Sequence, residues 1–480
     1  MRPRIDAPES PVPLAQRPLA PLPPERVCEV EAVAELFLGI FRRDLATFFP
    51  HLQFLPAPLS TPNLIAGPGF EFLPRLDGSA DLCLFQQTHR LVPRDGMALT
   101  RQDGQLIRAI GSVLGLRYHH LFHLTTSGRL ELFRGGSEDH YIGAFVEPWA
   151  YDPSATRPSR IAQTILTLRT AALSTYENHR VSTGVLLLGR DDPERPFPRT
   201  AADALPYGVE LTGLKSIHRL CDGKRTLFAV DAEGRLAGIL DIARFANELA
   251  DPHDGDVPCA RSYQAHARAT RARGHVCVVL SPNQEIKLFA EGRHVFTFAH
   301  GRWRVLDPAA KFARWNDAVR STAVARSIFQ AALNLSENRQ GALFVVVDEP
   351  RAALGRLIAS HDFLSTEASA APPSEFSPHD PLAKRALHYL ARGRNVNEID
   401  PAVLEALASL DGAIATDRNG RLLAFGAILR HEDLPGLGLA QAEGARTTAA
   451  LVASRYGAVL KVSEDGIISC YLSGEKVWDL

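Results

Sequence analysis

The sequence has no surplus of charge of either sign. Its 480 residues carry 53 Lys and Arg against 54 Asp and Glu, a formal net charge of −1. No whole-chain field therefore draws DNA, RNA or an anionic membrane surface, and a nucleic-acid role would need a local patch. Long apolar runs are missing too: stretches such as 184–188 and 341–347 are strand-length, well short of the ~18–20 residues that cross a bilayer. Cysteine is scarce. Cys28, Cys83, Cys221, Cys259, Cys277 and Cys470 lie far apart with no CxxC pair, which argues against a zinc ribbon or a disulfide-stapled scaffold and makes a reducing cytoplasm the expected home. Residues 1–25 hold eight prolines and no apolar stretch of signal-peptide type, so they read as an extended tail.

What is present is a globular balance of 45% hydrophobic and 22% charged residues, unlike a disordered or collagen-like chain. At ~100–200 residues per domain the length predicts two to four units. Residues 27–49 space Val30, Val33, Leu36, Phe37, Ile40 and Phe41 as a helix, and 105–114 reads as another. Residues 118–133 alternate about the turn Thr126-Ser127-Gly128, which predicts a β-hairpin. His119, His120 and His123 lie there; on a strand His120 would face away from the other two, so a half-exposed strand is expected in place of a metal cluster.

The chain also repeats itself. Leu168-Arg169-Thr170-Ala171-Ala172-Leu173, then Glu177-Asn178-His179-Arg180 and the strand 184–188, parallels Phe329-Gln330-Ala331-Ala332-Leu333, then Glu337-Asn338-Arg339 and 341–347. Asp222-Gly223 followed by 228–236 parallels Asp411-Gly412 followed by 414–422, and 276–296 parallels 459–478. A repeat of this kind predicts two copies of one supersecondary unit. The expected divisions are a Pro-rich tail (1–25), an N-terminal sensor-like α+β domain (26–155) and two repeats (160–308 and 310–480). The expected fold class is α+β, a mixed sheet flanked by helices, duplicated. Residues 366–380, rich in Ser, Ala and Pro, have no counterpart in the first copy and read as a surface insertion.

Three signatures in the last copy point to chemistry: Asp411-Gly412-Ala413 at a strand start, Gly444-Ala445-Arg446-Thr447-Thr448 opening a helix, and Ser463-Glu464-Asp465-Gly466 in a turn. Taken singly, Asp-Gly and Ser-Glu-Asp-Gly are ordinary turn sequences. Taken together, with the entry Glu337-Asn338-Arg339 and the close Gly474-Glu475-Lys476-Val477-Trp478, they resemble the diadenylate cyclase domain over roughly residues 320–480. That module occurs in the DNA-integrity scanning protein and in membrane-bound cyclic di-AMP synthases.

The resemblance implies that two ATP molecules meet face to face between two cyclase domains and condense to cyclic di-AMP and pyrophosphate. It implies Mg or Mn as the cofactor, with Asp411 and Glu464 as catalytic and metal-holding carboxylates. Gly412, Ala413, Gly444, Arg446, Thr447, Thr448 and Ser463 are the implied nucleotide-binding residues. Small residues suit a backbone that approaches a nucleotide, and a helix start leaves N–H donors for phosphate. The family's phosphate loop reads Gly-Thr-Arg-His-Arg, whereas Gly444-Ala445-Arg446-Thr447-Thr448 keeps one cation, Arg446. Two expectations stand: a diadenylate cyclase-like enzyme, or a catalytically inactive sensor that binds an adenine nucleotide or cyclic di-AMP.

In the middle copy Lys224 follows Asp222-Gly223, Ser281-Pro282-Asn283 stands at the turn, and 262–266 offers neither Gly nor Arg at the loop. A degenerate, packing or sensing repeat is expected. The basic run Arg261, Arg268, Arg271 and Arg273 reads as a solvated helix face. Self-association through the cyclase-like domains is expected. A membrane or nucleic-acid partner is not expected, and DNA-junction scanning is disfavoured because the expected layout ends at Leu480 with the cyclase-like unit.

Overall fold

The computed structural model describes residues 24–57, 70–84, 87–94, 99–122, 132–152, 157–190, 204–214, 217–249, 258–359, 362–364, 388–430 and 444–480. The Pro-rich tail through residue 23 and the 366–380 insertion lie outside them. The fold is α+β, built from antiparallel and mixed sheets with helices, and it divides into two compact units, residues 1–134 with 147–157 and residues 135–146 with 158–480.

The first unit has a four-stranded antiparallel sheet in the order β1-β4-β3-β2, formed by β1 (Leu52–Pro56), β2 (Phe70–Pro74), β3 (Ala80–Leu84) and β4 (Gln87–Pro93). Helices Pro24–Phe48 and Arg101–Phe122 accompany it, and Phe41, Leu82, Leu91, Ile107 and Ile110 are buried in its core. Residues 118–122 do not open a hairpin. They are the last turn of the second helix, because the buried series Leu106, Ile110, Val113 and His120 keeps helical period through them. His119 and His120 thus sit on a helix, while His123 and the turn 126–128 lie outside the described residues.

In the second unit, helix Ser137–Val146 packs beside helix Arg160–Ala172. Its buried Asp139 takes hydrogen bonds from Arg169 Nη2 at 2.6 Å and Trp303 Nε1 at 2.9 Å. A carboxylate 1% exposed needs such partners, and they lie in the middle repeat. A small hairpin, β5 (Thr175–Tyr176) and β6 (His179–Arg180), precedes two larger sheets.

The middle sheet runs β13-β12-β11-β10-β7-β8-β9. Its strands are β7 (Thr183–Leu187), β8 (Thr226–Val230), β9 (Leu236–Asp241), β10 (Val276–Leu280), β11 (Ile286–Ala290), β12 (Arg293–Ala299) and β13 (Arg302–Val305). The last sheet runs β16-β15-β14-β17-β18-β19, from β14 (Ala342–Val347), β15 (Ala413–Asp417), β16 (Leu422–Ala427), β17 (Gly457–Val462), β18 (Ile468–Leu472) and β19 (Glu475–Asp479). Apart from the edge strand β13, which has no counterpart in the last sheet, the order and the directions agree. One central parallel pair, β7/β8 or β14/β15, is flanked by antiparallel neighbours.

Their turns agree as well. Asp231 Oδ1 accepts the N–H groups of Glu233 and Arg235, and Asp417 Oδ1 accepts those of Asn419 and Arg421, all at 2.8–3.0 Å. Both strand-embedded faces of β14 and β17 are covered. Phe344, Val346, Leu460 and Val462 pack with helix Thr322–Glu337, and Leu343, Val345 and Val459 share the opposite core with Ala450 and Ala453 of helix Ala445–Ala453. Burial on both sides explains why these strands read as continuous apolar runs.

Candidate functional site

The site lies where three strand ends meet. Because β14 and β15 are parallel, Gly341 and Asp411-Gly412, just ahead of them, reach the same edge of the sheet. Because β17 is antiparallel to β14, with Val462 opposite Ala342, the turn after β17 returns to that edge. Helix Ala445–Ala453 starts there too, with Arg446 in its first turn.

Arg446 joins the pieces. Its Nη1 donates to Glu464 Oε1 at 3.0 Å, and its Nη2 lies 3.8 Å from Asp411 Oδ1. The structure therefore gathers Asp411, Arg446 and Glu464 around one guanidinium. The two carboxylates are 95% and 74% exposed, where ion pairs contribute little to folding. Gly341 makes room: a Cβ there would stand 2.1 Å from Arg446 Nη1 and 3.3 Å from Glu464 Cγ.

Two glycines set the backbone. Gly412 has φ +110°, and a Cβ on it would stand 2.4 Å from the carbonyl carbon of Gly426, so only glycine fits where β15 begins against β16. Gly444 has φ +88° with ψ 152°, a region open essentially to glycine, and its carbonyl accepts the N–H groups of Thr447 and Thr448. Ala413 is buried opposite Ala427, so it contributes packing and backbone to the site's wall.

The Ser463–Gly466 turn is built by Ser463. Its N–H donates to the Ile467 carbonyl and its Oγ accepts from the Ile467 N–H at 3.2 Å, while the Gly466 N–H closes on the Ser463 carbonyl. Ser463 Oγ also bonds Asp465, whose carboxyl is raised by partial burial but lowered by more through this bond and the Ile467 N–H, for a net depression. Ser463 is thus engaged in shaping the turn that presents Glu464. The middle repeat makes the same turn: the Ser281 N–H donates to the Glu285 carbonyl, Ser281 Oγ accepts from the Glu285 N–H, and the Gln284 N–H closes on Ser281. Pro282 stands where Glu464 does.

The rest of the middle site is filled from within. Asp222 Oδ1 accepts the N–H groups of Lys224, Arg225 and Thr226; against the upward effect of burial, these bonds lower its pKa to about 2. His266, fully buried, places its Nε2 2.9 Å from the Gly223 carbonyl. A carbonyl only accepts, so Nε2 carries the proton.

The sequence offered Arg446 as the one cation of the loop, and the structure brings a second. Lys461 of β17 donates from Nζ to Thr447 Oγ1 at 2.9 Å. The available signal was a lysine in the otherwise apolar strand 457–462, two residues ahead of Ser463.

Asp411 and Glu464 are hard oxygen donors, and the cation now between them is a guanidinium. Two carboxylates completed by substrate phosphate oxygens suit a divalent cation of the Mg or Mn kind, so the residues fit such an ion. Among the described residues no group of three or more His, Cys, Asp or Glu forms a closed metal centre, and no helix among them is long and apolar enough to cross a membrane.

No family model and no curated protein matches the chain. Among solved structures, a double cysteine mutant of DacA from Staphylococcus aureus aligns with 33% of this chain and 86% of its own, at 20% identity and a TM-score of 0.22. A hypothetical membrane spanning protein from Bacillus cereus aligns with 35% of this chain and 69% of its own, at 22% identity and a TM-score of 0.22.

Proposed function

We propose that the last repeat binds ATP at this strand-end site and that the protein is a diadenylate cyclase-like enzyme. The observation that carries the reading is the grouping of Asp411, Glu464 and Arg446 beside the Gly444 helix start. It would set carboxylates, a guanidinium and a helix start within reach of one polyphosphate. In the reaction, each ATP 3′-oxygen forms a bond to the α-phosphorus of the other ATP as the bond from that phosphorus to pyrophosphate breaks. The two hydroxyl protons leave to solvent.

Arg446 would turn from the carboxylates to the phosphates when nucleotide enters, and Asp411 and Glu464 would hold the divalent cation. When bound, that cation supplies neutralisation of the triphosphate charge. Gly412 and Ala413 keep the wall flat against the nucleotide. The middle repeat has Pro282 in place of the turn carboxylate and His266 filling the space by Gly223, so the second ATP would be held by a second copy of the chain.

The test is to incubate the full chain with ATP and Mn2+ or Mg2+ and separate the products. Cyclic di-AMP and pyrophosphate are expected, with initial rates rising more steeply than linearly in protein concentration. Asp411→Asn and Glu464→Gln should lose product formation at unchanged melting temperature. ATP binding without any product would favour the inactive sensor.

A further inference from the structure

We infer that Lys461, reaching across from β17 to Thr447, supplies the second positive charge for the ATP polyphosphate. This inference rests on the nucleotide reading of the site and names a binding residue that the loop sequence itself does not contain.

The geometry follows from the strand pairing. In β17, Leu460 and Val462 point to the core that holds helix Thr322–Glu337, so Lys461 points to the opposite side, where helix Ala445–Ala453 lies. The strand pairing fixes its height: Lys461 is opposite Leu343 on β14 and Ser469 on β18. From there its ammonium meets Thr447 Oγ1 at 2.9 Å, in the first turn of the helix. Thr447 stands at a loop position where the resemblance implies a histidine. The hydroxyl that cannot be a cation therefore carries one on a neighbouring strand.

Electrostatics points the same way. The start of a helix is the positive end of its dipole and favours an anion such as a phosphate. Arg446 and Lys461 both come to this end. The carboxylates of Asp411 and Glu464 face Arg446, while Lys461 approaches from the sheet beneath the helix. A polyphosphate lying across the first turn would meet both cations, one from each side.

The experiment is calorimetry of ATP with Mg2+ on the full chain, comparing wild type, Lys461→Met and Lys461→Arg over a salt series, with adenosine as the phosphate-free control. Losing one charge-assisted contact should weaken ATP binding about ten- to a hundredfold and flatten its salt dependence. Lys461→Arg should retain most of the affinity, and adenosine should bind wild type and Lys461→Met alike. Thermal melts establish that each variant is folded, and rescue by arginine excludes a purely structural effect. ATP affinity unchanged in Lys461→Met, with wild type binding ATP, would overturn the role of Lys461 alone. Absence of ATP binding to wild type would overturn the site reading together with it.

Discussion

At the residue scale, two glycines separate what the site needs from what the fold needs. The Cβ that Gly341→Ala adds meets the end of a flexible side chain, Arg446 Nη1 at 2.1 Å, whereas the one that Gly412→Ala adds meets backbone, the Gly426 carbonyl carbon at 2.4 Å, at φ +110°. Arg446 can move aside; a paired strand cannot. Gly341→Ala should therefore leave the urea midpoint within error while pushing Arg446 away from the strand end where the phosphates would lie and weakening ATP binding. Gly412→Ala should cost roughly 2–5 kcal/mol of stability, from backbone strain and overlap together. Urea unfolding beside calorimetry checks both. A Gly341→Ala protein that binds ATP as wild type does would detach Arg446 from recognition.

At the scale of elements, the middle repeat has the strand order and turns of the last one but places an imidazole against Gly223. Burial lowers the pKa of His266 to about 4, partly offset by the bond to the Gly223 carbonyl. A folded-state value depressed below the unfolded ~6.5 means that the neutral ring's contribution is complete above pH 6.5 and is lost as pH falls toward 4. Stability should decline over that window by up to about 3 kcal/mol on account of this residue. The decline should be shallower in His266→Gln, which keeps a donor for the carbonyl, and denaturant midpoints at pH 7 and pH 4.5 measure it. A wild-type slope equal to that of the variant would contradict the assignment.

Much of this element plan was legible in the sequence, because turn chemistry is local. The Asp-Gly pairs, the Asp-x-x-Gly turns and the Ser-centred turns are all where their residues indicate. What was not legible depended on distant partners. Residues 118–122 alternate like a strand, but the apolar spacing of the preceding helix continues through them. Lys461 becomes part of the site only because β17 returns antiparallel beside β14. Ser463 resembles a ligand contact by motif, yet its hydroxyl is held by Ile467, as Ser281 is by Glu285 in the other copy.

At the scale of the whole molecule, the second unit joins an open site to a filled copy of itself through buried charge. Lys287 of the middle sheet, 6% exposed, bonds Glu285 at 2.7 Å and Glu337 of the last repeat at 2.8 Å. Burial alone would lower its pKa, but the two carboxylates more than offset this and hold it charged. Arg339 continues the chain of contacts from Glu285 to the Asp465 carbonyl, next to Glu464. The filled repeat thereby braces the turn that presents Glu464. Nucleotide should bind only at the open copy, and photolabelling of the full chain with 8-azido-ATP and Mg2+, followed by peptide mapping, measures this. Label is expected in peptides spanning 411–413 or 444–464, competed by ATP and lost in Arg446→Ala; label in 222–226 or 258–285 of the middle repeat, or label that ATP does not compete, would overturn the assignment of the nucleotide to the last repeat.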